Sequence, residues 1–121
     1  MMDNIIRPVI DSYAFGRMVV GGIPYTSDLI IFPDGRVVSS WWRLSGHRLQ
    51  TADIMELIAA GPDVIVAGTG ASGFMRPANE LQELLASRGI DFICEPSSRA
   101  YRTYNLLDAA IKTGACFHLT C

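Results

Sequence analysis

Residues 63–73 read DVIVAGTGASG, a β-branched run that ends in a glycine loop. The run predicts a short buried strand at 63–67. After the loop, Pro77 predicts the first turn of a helix and Gly89 predicts its end. A strand, a loop and a helix in this order form the unit from which sheets with parallel strands and covering helices are built. This stretch therefore predicts an α/β fold.

The loop at 68–73 matches the dinucleotide-binding pattern G-x-G-x-x-G. In that pattern the helix begins within the motif, whereas Pro77 predicts a helix start four residues after Gly73. The phosphate-loop pattern lacks its lysine, since Phe74 follows the loop, and the nucleophile-elbow pattern G-x-S-x-G fails by one position. We therefore expect no bound cofactor.

Two interpretations of the loop stay open. The first is a sharp turn, which glycines permit because they have no Cβ atom. The second is an anion or small-ligand site, since a run of backbone amides at the end of a strand can hold a carboxylate or a phosphate. A single histidine is more often structural than catalytic, so no catalytic residue is assigned. The candidate residues for the ligand site are Gly68, Thr69, Gly70, Ala71, Ser72 and Gly73, joined by Arg43 and His47.

The rest of the chain divides into an N-terminal β part and an alternating part. Gly21-Gly22 and the Pro-Asp-Gly sequence at 33–35 predict turns between short strands. We expect a three-layer α/β fold in a single domain of residues 1–121, with a mixed central sheet, flanking helices and an added N-terminal β-hairpin layer. Strands are predicted at 9–15, 17–20, 27–32, 36–42, 63–67, 90–94 and 115–119, and helices from the N-cap Thr51, from Pro77, and from 95–98 to Gly114.

Two adjacent tryptophans, Trp41 and Trp42, end the predicted strand 36–42. Neighbouring side chains of a strand point to opposite faces, so one ring enters the core and the other needs a cover. The N-terminal hairpin layer is the favoured cover. A partner protein is the alternative, because Trp and Arg are frequent in binding hot spots. The candidate interaction surface comprises Trp41, Trp42, Arg43 and Arg48.

Charge and hydropathy exclude two classes of partner. The net charge is −2 and the basic residues are dispersed, whereas nucleic-acid binders show a basic excess or stripe. Apolar runs stay far below the roughly 20 residues that span a bilayer. Residues 1–7 contain an aspartate and no positive segment before an apolar stretch, so we expect no secretory signal and a cytoplasmic location.

Three cysteines are present without a CxxC pair. Cys94 and Cys116 lie in apolar strand-like runs and are expected to be buried. Cys121 follows three residues after His118, but two potential ligands are too few for a zinc site, so no metal is predicted.

Five motifs, taken together and in order, resemble one known family over nearly the whole chain. They are SYAFG at 12–16, YTSDLIIFP at 25–33, WWR at 41–43 with GH at 46–47, GTG at 68–70 with SG at 72–73, and HLT at 118–120. The chain resembles the adipogenesis-associated Mth-domain family, a domain of unknown function to which a mitochondrial complex I assembly factor is related. The resemblance implies a three-layer α/β fold with a mixed sheet, and a glycine loop outside the dinucleotide-binding group.

The assembly-factor relative implies contact with other proteins and supplies no agreed active site. We therefore favour a non-enzymatic interaction or assembly module, with self-association left open. The alternative is a small-ligand protein or an enzyme that uses the loop at 68–73.

Overall fold

The computed structural model describes residues 7–121, so six of the seven residues on which the signal-peptide expectation rests lie outside it. Within that part of the chain, no helix is long and apolar enough to cross a membrane. The strands are β1 (Ile10–Ala14), β2 (Arg17–Val20), β3 (Ile23–Tyr25), β4 (Leu29–Ile31), β5 (Val37–Ser39), β6 (Arg48–Leu49), β7 (Val64–Thr69), β8 (Arg76–Pro77), β9 (Asp91–Glu95) and β10 (Thr113–His118). The helices are α1 (Met55–Ala59), α2 (Asn79–Ser87) and α3 (Ser97–Leu106), and a 3₁₀ turn spans Thr51–Ile54.

The central sheet has the strand order β5-β4-β10-β7-β9 and is mixed. Strands β10, β7 and β9 run parallel, whereas β4 is antiparallel to both β10 and β5. Strands β4, β7 and β10 are buried along their whole length, as their near-continuous apolar sequences predict for strands covered on both faces. The carboxyl ends of β7 and β10 and the start of β4 therefore meet at one edge of the sheet.

Alternation along β10 separates two cores. Cys116 lies in one cluster together with Leu57 of α1 and Leu81 of α2. Phe117 lies in the other, with Tyr104 of α3 and Met18 of β2. Strands β1, β2 and β3 form a separate antiparallel sheet that covers this second face beside α3. The predicted three-layer arrangement with a mixed central sheet and an added hairpin layer is confirmed.

Several predicted boundaries are wrong. Strand 36–42 stops at Ser39, because Ser40 has a positive φ of 58° and leaves the extended conformation. Pro77 does not open a helix: it pairs with Leu49 in a two-stranded parallel ribbon, and α2 begins at Asn79. Thr51 is not an N-cap but the first residue of the 3₁₀ turn. The N-cap is Gln50, whose N–H donates to the Asp53 carboxylate at 2.7 Å.

The third helix ends at Leu106, well before Gly114. Gly114 lies inside β10, where a Cβ atom would stand 2.6 Å from Cδ1 of Leu57. The glycine therefore marks a close approach between α1 and the sheet and not a helix end. Cys94 is exposed on the edge strand β9, while Cys116 is buried as expected.

Candidate functional site

A buried charged cluster lies at the carboxyl edge of the central sheet. We call it the Asp28 cluster; it consists of Asp28 just before β4, Arg43 after β5 and His118 at the end of β10. Oδ2 of Asp28 lies 2.8 Å from Nη1 of Arg43 and 2.8 Å from Nδ1 of His118. Only 17%, 6% and 8% of the three side chains are exposed. Within residues 7–121, Arg43 and Asp28 form the only buried pair of an arginine or lysine with a carboxylate.

The carboxyl group of Asp28 is held ionised. Burial by itself raises its pKa, but hydrogen bonds from His118, from the Leu119 N–H and from Arg43 outweigh burial, and the pKa lies below its ordinary value. The Leu119 N–H donates to Oδ1 at 2.8 Å. Nδ1 of His118 lies 2.8 Å from Oδ2 of Asp28 and 3.1 Å from Nη2 of Arg43. An ionised carboxylate can only accept, so the shorter contact assigns a proton to Nδ1. In the neutral form of the ring, Nε2 of His118 then carries the lone pair.

Arg43 also fixes the turn that follows the tryptophans. Its Nε and Nη2 donate to the Gly46 carbonyl oxygen at 3.2 and 2.9 Å, and its guanidinium lies 4.7 Å from the Trp41 ring centroid. The Trp41 indole N–H donates to the Asp53 carbonyl oxygen at 2.9 Å. Segment 41–46 is thereby held at both ends by polar contacts.

The imidazole of His118 has one nitrogen without a partner. Nε2 is buried and makes no hydrogen bond within the described residues. The ring centroid of His47 lies 6.1 Å from that of His118, and the Phe74 ring lies 5.7 Å from His47. His47 is exposed, and its carbonyl oxygen accepts the Arg76 N–H at 2.9 Å. The fold thus brings His47, Arg43 and the end of the glycine loop to the same edge of the sheet.

The amides of the glycine loop are bonded to protein. The Gly70 N–H donates to Oγ of Ser97 at 3.0 Å, and that hydroxyl donates to the His118 carbonyl oxygen at 2.6 Å. Three further amides donate to residues 120–121, which we call the tail. Ala71 donates to the Thr120 oxygen at 2.6 Å, and Ser72 and Phe74 donate to the Cys121 oxygen at 3.3 and 3.2 Å. The anion site at 68–73 stays a prediction, and it requires residues 120–121 to move away.

The two tryptophans lie in opposite environments. Trp41 is 9% exposed and belongs to the core, whereas Trp42 is 83% exposed. One ring inside and one outside agrees with the expectation, but the N-terminal hairpin does not cover Trp42, so the favoured cover was wrong. We call Val38, Trp42 and Met55, all exposed, the Trp42 surface; they border a groove of about 360 Å³. Arg48, also exposed, lies on β6.

Sequence reasoning missed Asp28, and it considered His118 only as a metal ligand beside Cys121. Both residues are single polar positions next to apolar strands, in SDLIIF and CFHL. A polar side chain at the end of a buried strand is a usable signal, because it must find a partner there. In the described residues no group of three or more His, Cys, Asp and Glu residues could hold a metal.

Solved structures with the same fold come from several organisms. A conserved hypothetical protein of Pyrococcus horikoshii has 23% identity and a TM-score of 0.82, over 93% of this chain and 98% of that chain. An outer membrane protein of Bartonella henselae has 24% identity and a TM-score of 0.79, over 95% and 97%. A Mth938-like domain of Bordetella pertussis has 19% identity and a TM-score of 0.60, over 98% and 89%.

These similarities establish the fold, that of the Mth938-like domains, and no activity. The sequence itself matches a family model over residues 10–118, which include all three residues of the Asp28 cluster and the whole glycine loop. The model is described as a protein of unknown function, DUF498/DUF598, and the chain belongs to this family.

Proposed function

We propose that the protein is a non-enzymatic interaction module that binds a partner protein through the Trp42 surface. The observation that supports this proposal is the 83% exposure of Trp42 beside the buried Trp41. Tryptophan is the residue most enriched in binding hot spots, where it fills a pocket of the partner and leaves water. An isolated exposed apolar side chain needs no explanation, but Trp42 has the exposed Val38 and Met55 beside it.

The backbone under Trp42 is held before any partner arrives. The residue before it is anchored by the indole hydrogen bond to Asp53, and the residue after it by the ion pair to Asp28. A surface whose backbone is already ordered loses less conformational entropy on binding. The binding energy of the indole is then available to the complex.

The groove beside Trp42 indicates the chemistry of the partner. It is lined by apolar side chains of β4 and α1, and by two carboxylates. Asp53 already accepts the amides of Leu44 and Gln50, so the exposed Glu56 is the carboxylate that can meet a partner. A partner segment with an apolar side chain next to a lysine or arginine fits this groove.

The sequence resemblance supports the same class of function. The complex I assembly factor related to the resembled family works among other proteins, and we extend that role to this chain as a proposal. Self-association through the Trp42 surface and a cytoplasmic location are part of the proposal. Each has its own measurement, namely sedimentation of the purified chain and fractionation of cells.

The test places a photo-crosslinking amino acid at position 42 and, as a matched control, at position 106. Leu106 is 84% exposed at the end of α3, a helix that packs on the other face of the central sheet. We expect a discrete crosslinked species from position 42 that is absent from position 106. We also expect it to be lost when Glu56→Lys is added. Equal crosslinking from both positions, or none from position 42 in cells and in the purified chain, would contradict the proposal.

Anion or small-ligand binding at the glycine loop is the second candidate function. The contact of His47 with Phe74 favours it, because it brings one candidate residue next to the loop. Two observations oppose it: Arg43 is engaged by Asp28 and Gly46, and the loop amides donate to the tail. The test is the melting temperature in phosphate, carboxylates and nucleotides, with sodium chloride at equal ionic strength as the control. No rise in any of them beyond the control would exclude this function.

A further inference from the structure

We propose that His118 and Thr69 form a binding site for a small uncharged ligand that donates an O–H or N–H group to Nε2 of His118. The site lies at the carboxyl ends of β10 and β7, the edge where open α/β sheets place their ligands. It is separate from the Trp42 surface and does not use the amides of the glycine loop.

The first step is the orientation of the imidazole. Asp28 accepts the Nδ1 proton at 2.8 Å and is fixed by Arg43 and by the Leu119 N–H. A carboxylate that holds Nδ1–H fixes both the tautomer and the direction of the ring. In the neutral ring, Nε2 is therefore a hydrogen-bond acceptor with a fixed direction.

The second step is the cost of leaving that acceptor without a donor. The His118 side chain is 92% buried, since 8% of it is exposed, and Nε2 has no partner in the described chain. A buried polar atom in this state has a free-energy cost, because it has lost its hydrogen bond to water. Tyr104 OH is the other such atom; it belongs to α3 and lies in the apolar core that α3 shares with the hairpin, with Arg7 over its ring. At His118 a ligand that donates one hydrogen bond recovers this cost.

The third step is the neighbouring strand. Thr69 pairs with His118 across the parallel β7–β10 ladder, so the two side chains lie on the same face of the sheet. Thr69 is 5% exposed, and its hydroxyl can both donate and accept. A hydroxyl or an amide of a ligand can thus donate to Nε2 and accept from Thr69.

The fourth step is charge. The Asp28 carboxylate is neutralised by Arg43, and the lone pair of Nε2 repels a carboxylate or a phosphate. The site therefore selects an uncharged group. The exposed His47 ring lies edge-on to His118, with Phe74 on the far side of His47, so His47 has to turn aside when a ligand enters.

The experiment uses two matched probes on the full chain, acetamide and N,N-dimethylacetamide, which differ in their N–H donors. Nitrogen resonances of the His118 ring are followed by long-range proton–nitrogen NMR. We expect the unbound ring to be protonated at Nδ1. We expect acetamide to shift Nε2 saturably, and N,N-dimethylacetamide to bind at least about tenfold more weakly, because it has no donor for that atom.

His118→Asn is the matched variant, since its amide can still donate to Asp28 where Nδ1 did, but nothing replaces Nε2. Acetamide should then no longer shift the Thr69 and Phe74 amides, whereas Leu106→Ala should behave as the parent. If this variant fails to fold, the two probes on the parent chain still decide the question. Equal effects of both probes, no saturable shift up to the solubility of acetamide, or an unchanged response in His118→Asn would overturn the proposal.

Discussion

The Asp28 cluster and the Trp42 surface differ in burial and in polarity, although they meet in the segment 41–43. Arg43 carries a charge and is buried, whereas Trp42, its neighbour, is apolar and exposed. Each residue lies where its chemical type is least expected. For Arg43 the compensation is visible, since Asp28 and the Gly46 carbonyl oxygen accept its N–H groups. For Trp42 the described chain supplies no cover.

This difference separates stability from function. A buried ion pair with satisfied hydrogen bonds becomes a liability when one partner is removed, because the other charge is left alone in the interior. An exposed ring has no such dependence, so its removal costs the folded state little. Substitutions at the two regions should therefore have opposite consequences.

The largest effect is expected from Asp28→Ala. The substitution leaves the guanidinium of Arg43 buried without its anion and should lower the free energy of unfolding by about 3–5 kcal/mol. Urea denaturation measures the change, and Asp91→Ala, on the edge strand β9, is the control at an exposed carboxylate, expected within about 0.5 kcal/mol. A loss below about 1 kcal/mol for Asp28→Ala would mean that the Arg43 guanidinium is hydrated in the variant, and that the ion pair contributes no more than an exposed one.

Gly70→Ala tests the boundary between the cluster and the glycine loop. Gly70 has a φ of 104°, and a Cβ atom there would overlap the backbone of Cys121. We expect a loss of about 1–3 kcal/mol from strain and overlap, and faster amide exchange at Ala71 and Phe74 as the tail is displaced. Gly22→Ala is the control, since it also has a positive φ but its Cβ position is open. Equal exchange in both variants would show that the tail does not protect the loop.

Acid should weaken the cluster and leave the surface unchanged. The pKa of Asp28 is lower in the folded chain than the ordinary value of about 3.9. The stabilisation it gives is therefore complete above that value and is lost as the pH falls through the folded pKa. Unfolding free energies measured from pH 6 down to pH 2 should fall less steeply in Asp28→Asn than in the parent. Parallel curves would show that Asp28 titrates normally.

Much of the fold follows from the sequence because its signals are local. Turn chemistry at 33–35 and the alternation of strands and helices require only neighbours in the chain, and both were predicted correctly. Pro77 misled because its fixed φ suits a short extended ribbon as well as a first helical turn, and the ribbon depends on a partner at Leu49. Gly114 misled for the same reason. Leu57 of α1, in another layer, packs so close to it that position 114 has no room for a Cβ atom.

The candidate site was less accessible to sequence reasoning. Asp28 and His118 are 90 residues apart, and only the antiparallel placement of β4 beside β10 brings them together. The pattern around each residue indicates a polar side chain at a strand end but does not name its partner. Which of the two tryptophans is buried depends in the same way on Ser40, whose positive φ ends the strand before Trp41 and Trp42.

The smallest effect on stability is expected from Trp42→Ala, and it is the most informative about the comparison. Because the ring is 83% exposed, the free energy of unfolding should change by no more than about 0.5 kcal/mol. Trp41→Ala is the matched control: it removes a core ring and its hydrogen bond to Asp53, and should cost about 3–5 kcal/mol. If Trp42→Ala instead lost more than about 1 kcal/mol, the ring would be packing against the chain itself. Binding of a partner would then no longer be needed to explain why a tryptophan stands beside a buried arginine.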